Sequence, residues 1–188
     1  TYILYDGIND INNPLTYTYD DEITLAEATK TRYSFGGWYD NAEFVNRVEK
    51  IAKGTSGNLT LYAKWYYVGT VTFITNGGSD IDPITQEFGT ALKRPTNPTK
   101  DYYIFENWYE DETLTKVYEF TTMPDKDFNL YAKWIPIEYT ITYVLNNGKN
   151  GANPAKYTAD DEIVFADASR VGYTFKGWFT DASLTSTV

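Results

Sequence analysis

Tyr33-Ser34-Phe35-Gly36-Gly37-Trp38-Tyr39 returns as Tyr103-Ile104-Phe105-Glu106-Asn107-Trp108-Tyr109 and again as Tyr173-Thr174-Phe175-Lys176-Gly177-Trp178-Phe179. The step is about seventy residues, the mark of a tandem array. A second segment keeps the same time: Leu61-Tyr62-Ala63-Lys64-Trp65 recurs unchanged as Leu130-Tyr131-Ala132-Lys133-Trp134. Working outward from these anchors, the chain divides into copies at 1–65, 70–134 and 139–188, with linkers at 66–69 and 135–138. The third copy is truncated on this reading, because it holds no counterpart of the closing pentapeptide and Val188 aligns with Val48. An array of small units points to reach or multivalency before chemistry.

Within a copy, alternation identifies strands. Tyr139, Ile141, Tyr143 and Leu145 fall on one face of an opening strand, since strand side chains repeat every second residue. Asn76-Gly77-Gly78, Asn146-Asn147-Gly148 and Asp6-Gly7 then supply residues that tolerate the positive φ of a tight turn. A weaker strand follows near 84–88, 23–26 or 163–166. The aromatic segment is the next strand. Strict alternation would put Phe35 and Trp38 on opposite faces, so a bulge is expected there, with Gly37, Asn107 and Gly177 at its left-handed position. The closing strand sets Leu, Ala and Trp on one face and Tyr and Lys on the other. Between these two strands Phe44, Val48, Ile51 and Ala52 lie at helical spacing, a short helical turn is expected after Asp40, Asp111 and Asp181, and Val117-Tyr118-Glu119-Phe120 reads as a short strand. The fold class is therefore mostly β, or α+β with a minor helical part. The linkers are too brief and too apolar to be flexible tethers.

Composition narrows the function. A unit of about seventy residues hides only around 60% of its unfolded surface, so bulky side chains must supply the core. The chain has 18 Tyr, 10 Phe and 5 Trp for that purpose. It has no Cys and no His, which removes disulfides, thiolate or imidazole zinc sites and histidine-dependent nucleophiles. A net charge of −10 without a basic stripe argues against nucleic acid as a partner. No stretch is long and apolar enough to be a membrane span, and an export signal either lies outside these residues or is absent.

The opening strand into Asn-Gly-Gly, the Tyr-x-Phe-x-Gly-Trp-Tyr segment and the Leu-Tyr-Ala-Lys-Trp ending together resemble the Listeria-Bacteroides repeat, also called the internalin B-repeat, over nearly the whole chain. The resemblance implies small β-grasp-like, ubiquitin-like modules in an extended array, within large secreted or wall-attached proteins of the bacterial cell surface. It carries no catalytic residue and no cofactor. Arg32 and Tyr102 depart from it, standing where the family usually has the glycine present here as Gly172, and Asn107 replaces the glycine before tryptophan.

The remaining candidates each have a simpler alternative. Tyr62 and Tyr131 could form a stacking platform for a glycan, but small modules without disulfides need their rings inside. Lys64 and Lys133 could be cross-link donors, though lysines lying along a strand surface fit the pattern better. Asp20-Asp21-Glu22, Asp160-Asp161-Glu162 and Asp80 with Asp82 could be calcium ligands, yet no spaced run of oxygen ligands occurs. Adjacent carboxylates on one turn do not define a glycosidase pair. The expected function is a stalk or spacer that projects other domains. The alternative is an adhesin segment binding a host or neighbouring-cell protein or a glycan, with flanking repeats of the chain as the other neighbours.

Overall fold

The computed structural model describes residues 1–188. In chain order its strands are β1 (Tyr2–Ile3), β2 (Ile23–Thr24), β3 (Tyr33–Tyr39), β4 (Arg47–Val48), β5 (Lys50–Ile51), β6 (Leu61–Ile74), β7 (Ile84–Glu87), β8 (Tyr103–Tyr109), β9 (Phe128–Pro136), β10 (Tyr139–Thr140) and β11 (Lys156–Tyr157). There is no helix, so the fold is all-strand and the α part of the α+β expectation is corrected.

In the first two copies the closing strand is the middle of the sheet. β6 pairs in parallel with β1 and antiparallel with β3, and β9 likewise pairs in parallel with the second half of β6 and antiparallel with β8. The 14-residue β6 closes the first copy and opens the second without interruption, so residues 66–69 lie inside a strand. Sheet order is β4-β3-β6-β9-β8, with β7 also on β6.

The register slips between Phe35 and Gly37 and between Phe105 and Asn107. Each slip leaves one residue unpaired, which brings Phe35 to 5.2 Å from Trp38 and Phe105 to 5.3 Å from Trp108. Gly37 and Gly177 hold φ of 114° and 133°. Asn107 is not at positive φ, contrary to expectation; its side-chain carbonyl accepts the Trp108 N–H at 2.9 Å and shapes the bulge instead.

Two apolar clusters result. Ala28, Trp38, Leu61 and Ala63 make one, and Val71, Phe73, Leu92, Trp108, Met123, Leu130 and Ala132 the other. No residue of 139–188 is fully buried. Tyr173–Phe179 and 163–166 do not form strands there, and the opening strand shrinks to Tyr139–Thr140. In the other copies the opening and aromatic strands hydrogen-bond to a central closing strand, and 139–188 contains none; the weaker strand pairs elsewhere, Ile23–Thr24 with β5 and Ile84–Glu87 with residues 68–71 of β6.

The expected helical turns after Asp40, Asp111 and Asp181 are replaced by single tight turns. Phe44, Leu114 and Leu184 sit at φ of 56°, 55° and 56°, a left-handed conformation that ends a right-handed helix before it can propagate. The helical spacing across 42–52 is likewise overridden: Val48 pairs with Trp38 and Ile51 with Ile23 in short strands. Val117 makes only an isolated bridge to Tyr109, not the expected strand. The opening turns bend at Tyr5-Asp6, Asn76-Gly77 and Asn146-Asn147, all at positive φ. In the first copy this is one residue earlier than Asp6-Gly7.

Arg32 and Tyr102 adopt the same left-handed φ, 66° and 69°, as Gly172 at 80°. The turn is kept at the expense of strain. A left-handed non-glycine residue costs about 1–2 kcal/mol, and glycine gives back about 0.5–1 in chain entropy. Tyr102 is 62% exposed, so Tyr102→Gly should raise stability by up to about 1 kcal/mol in denaturant melts. A fall would mean that the tyrosine ring contributes more than its backbone costs.

Candidate functional site

Most repeat motif residues have a structural partner. Leu61, Ala63, Leu130 and Ala132 are buried beneath the sheet. Phe35 bridges Trp38 and Trp65, and Phe105 bridges Trp108 and Trp134 at 5.3 and 5.4 Å. In the third copy Phe175 meets Trp178 at 5.2 Å, with Tyr143 at 5.1 Å on the indole. Tyr33, Tyr103 and Tyr173 each lie beneath a cation, with Lys30, Lys100 and Arg170 at 4.4, 4.3 and 3.9 Å from the ring centres.

The two kinds of tryptophan are held differently. The indole N–H of Trp65 donates to the Leu4 carbonyl at 2.9 Å, and that of Trp134 to Thr75 at 2.8 Å, so the closing strand is tied to the opening turn. Trp38 and Trp178 donate to the carbonyls of Ala26 and Ala166. Those same alanines are clamped by Asn13 and Asn153, whose amides bond both backbone groups of Ala26 and Ala166. The asparagines precede Pro14 and Pro154 and could have been found as a recurring Asn-Pro, but only the structure reveals their partner. The second copy lacks this clamp, and the buried Trp108 N–H has no acceptor.

On the outer face Lys64 lies 5.4, 5.7 and 5.3 Å from the rings of Tyr39, Phe44 and Tyr66. Lys133 lies 5.0 Å from the Tyr109 ring and also pairs with Glu106 at 2.9 Å. Tyr62 and Tyr131 are half-buried, and Tyr131 donates to Glu112 at 3.1 Å. Neither ring forms an open platform. A concavity of about 700 Å³ lies between Phe88, Tyr118, Met123, Phe128 and Tyr131 in the second copy.

The acidic turns close on themselves. Asp21 and Asp161 each accept the backbone N–H and hydroxyl of Thr18 and Thr158, while Glu22 pairs with Lys50 and Asp20 with Lys53. Asp160 accepts from the Tyr103 hydroxyl. No three acidic groups converge as a metal site. Asp111 accepts the hydroxyls of Thr113 and Thr115 and the backbone N–H groups of Thr115 and Lys116. Asp181 does the same with Ser183, Thr185 and Ser186.

Those donors hold both carboxyls well below the usual carboxylate range, led by the Thr113 hydroxyl for Asp111 and the Thr185 N–H for Asp181. A depressed folded-state value stabilises the fold above the unfolded value of about 4 and loses that stabilisation as pH falls beneath it. Thermal melts should thus be insensitive to these groups from pH 5 to 8 and decline below about pH 4. Asp111→Asn should be less stable at neutral pH and show a shallower acid decline. An unchanged acid slope would remove Asp111 from the account.

A sequence model of the Listeria-Bacteroides repeat domain matches residues 1–64, 70–133 and 139–188. The chain is 34% identical over 154 residues to a putative membrane protein of Evansella cellulosilytica, covering 81% of this chain and 23% of that protein. It is 33% identical over 195 residues to a putative Gly-rich membrane protein of the same organism, covering 96% and 22%. It is also 33% identical over 113 residues to internalin H of Listeria monocytogenes, covering 59% and 18%. The chain thus spans less than a quarter of each of these relatives. No helix is long and apolar enough to cross a membrane.

Proposed function

Because the chain belongs to the Listeria-Bacteroides repeat family, we propose that it is a non-catalytic stalk or spacer region of a secreted, wall-attached bacterial surface protein, holding other domains away from the envelope. The observation that carries this reading is β6: one uninterrupted strand ends one repeat and begins the next, which suits a fixed, extended arrangement of modules at 1–65, 70–134 and 139–188. The motif side chains support it too, since they are spent on core packing and turns. Parallel pairing of opening with closing strands supports a β-grasp-like module. Small-angle scattering tests the extended form: a compact globule of this length has a radius of gyration of about 16 Å. A string of modules about 30–40 Å each should give about 25 Å or more. A value near the compact figure rejects the stalk.

One observation favours a second reading as an adhesin segment. Ile8, Ile11 and Leu15 are 71%, 97% and 87% exposed on the first repeat's long loop, where the third has Lys149, Ala152 and Ala155. An apolar ridge of this kind suits a host or neighbouring-cell surface protein better than a polar glycan. Ile11→Asp with Leu15→Asp should abolish cell binding on this reading and leave the scattering profile unchanged.

A further inference from the structure

We infer that Arg32, Tyr67 and Asp127 form a clasp that makes the first two repeats one mechanical unit, whereas the joint between the second and third repeats is a hinge. Arg32 stands in the first repeat, Tyr67 in the strand shared by both, and Asp127 in the turn before the second repeat's closing strand. The Asp127 carboxylate accepts from the Arg32 guanidinium, from the Tyr67 hydroxyl at 3.0 Å and from the Thr70 N–H at 2.9 Å. Arg32 also bonds the Tyr67 hydroxyl at 2.8 Å and lies over its ring. Alongside, the Ser34 hydroxyl donates to Glu87 of the second repeat at 2.5 Å.

An isolated exposed ion pair contributes little. This one differs because its carboxylate ties three chain segments together, and because β6 runs through the joint. It also accounts for the departure at position 32. Glycine would relieve the left-handed φ of 66°, but only a long cationic side chain reaches Asp127 from that turn.

The second joint keeps the backbone half of the arrangement, since the Tyr102 carbonyl accepts the Ile137 N–H at 2.8 Å just as Arg32 accepts that of Val68. The rest is missing. Tyr102 is 62% and Ile104 57% exposed where the first repeat has Arg32 and Ser34. β9 stops at Pro136, and pairing resumes only at Tyr139. Tyr103 to Asp160 is the side-chain hydrogen bond that spans it. The inference stands whether the array is a stalk or an adhesin.

The natural absence of cysteine allows clean spin labelling of the whole 188-residue chain. Labels on cysteines introduced at exposed Glu43 and Lys93 span the first joint, and labels at Lys93 and at exposed Thr140, in the paired strand β10, span the second. Pulsed dipolar distances should be narrow across the first and at least twice as broad across the second. Arg32→Gly relieves backbone strain, so it should fold and yet broaden the first distribution about twofold; Asp127→Asn should act in the same direction without changing shape. Equal widths at the two joints, or a first distribution unmoved by both substitutions, would overturn the clasp.

Discussion

Gly78→Ala is expected to destabilise the second repeat by about 2–4 kcal/mol, the sum of overpacking and a disturbed hydrogen bond. A Cβ built at Gly78 would stand 2.3 Å from Cζ2 of Trp134, with the Thr99 carbonyl oxygen at 3.2 Å limiting retreat. The indole cannot swing aside freely, because its N–H is bonded to Thr75 and its ring packs edge-to-face with Phe105. Gly78 is not at positive φ, so alanine's backbone preference is not the difficulty; the ring is. For a repeat of this size the loss corresponds to a fall on the order of 10–20 °C in melting temperature. Trp134→Phe removes the clashing atom and should make the double substitution clearly less than additive. Full additivity would show that the glycine is needed for something other than the tryptophan. Gly7 and Trp65, with a Cβ contact of 2.4 Å, should behave alike in the first repeat.

That contact explains why two distant motifs keep the same period. The glycine after the opening turn and the tryptophan of the closing pentapeptide are 56 residues apart in the second repeat, from 134 − 78, and yet they form one joint. The sequence displayed both halves. It also displayed the bulge, because Phe35 and Trp38 could not otherwise share a core.

What it hid were interactions that leave no period. Asn13 and Asn153 belong to none of the motifs that keep time along the chain, and their grip on Ala26 and Ala166 emerges only when the strands are assembled. Apolar spacing across 42–52 suggested a helix because short strands and one helical turn produce similar patterns over few residues. Phe44 at positive φ decided the matter, and phenylalanine does not advertise that conformation. Arg32 looked like a defect in a turn, since its partner lies 95 residues away.

The third repeat provides the other large effect. In an isolated fragment that ends at Val188, Tyr173–Phe179 should exchange its backbone hydrogens at least on the order of 100-fold faster than Tyr103–Tyr109, because local opening energies range from near zero to the global stability. In the second repeat that segment is β8, bonded along its length to β9 through six paired residues from Tyr103–Pro136 to Tyr109–Tyr131. Residues 139–188 contain no closing pentapeptide, so Tyr173–Phe179 has no central strand beside it and Trp178 is only half-buried, where Trp38 and Trp108 are 2% and 0% exposed. Its ring contacts to Phe175 and Tyr143 persist, which keeps side chains together without protecting amides. An opening strand and an aromatic strand with a gap between them also form an acceptor for a third strand. Protection that rises with protein concentration would mean that a neighbouring chain supplies it. Equal protection of both segments at every concentration would mean that the third repeat is complete without a central strand, and the division at 139–188 would have to be redrawn.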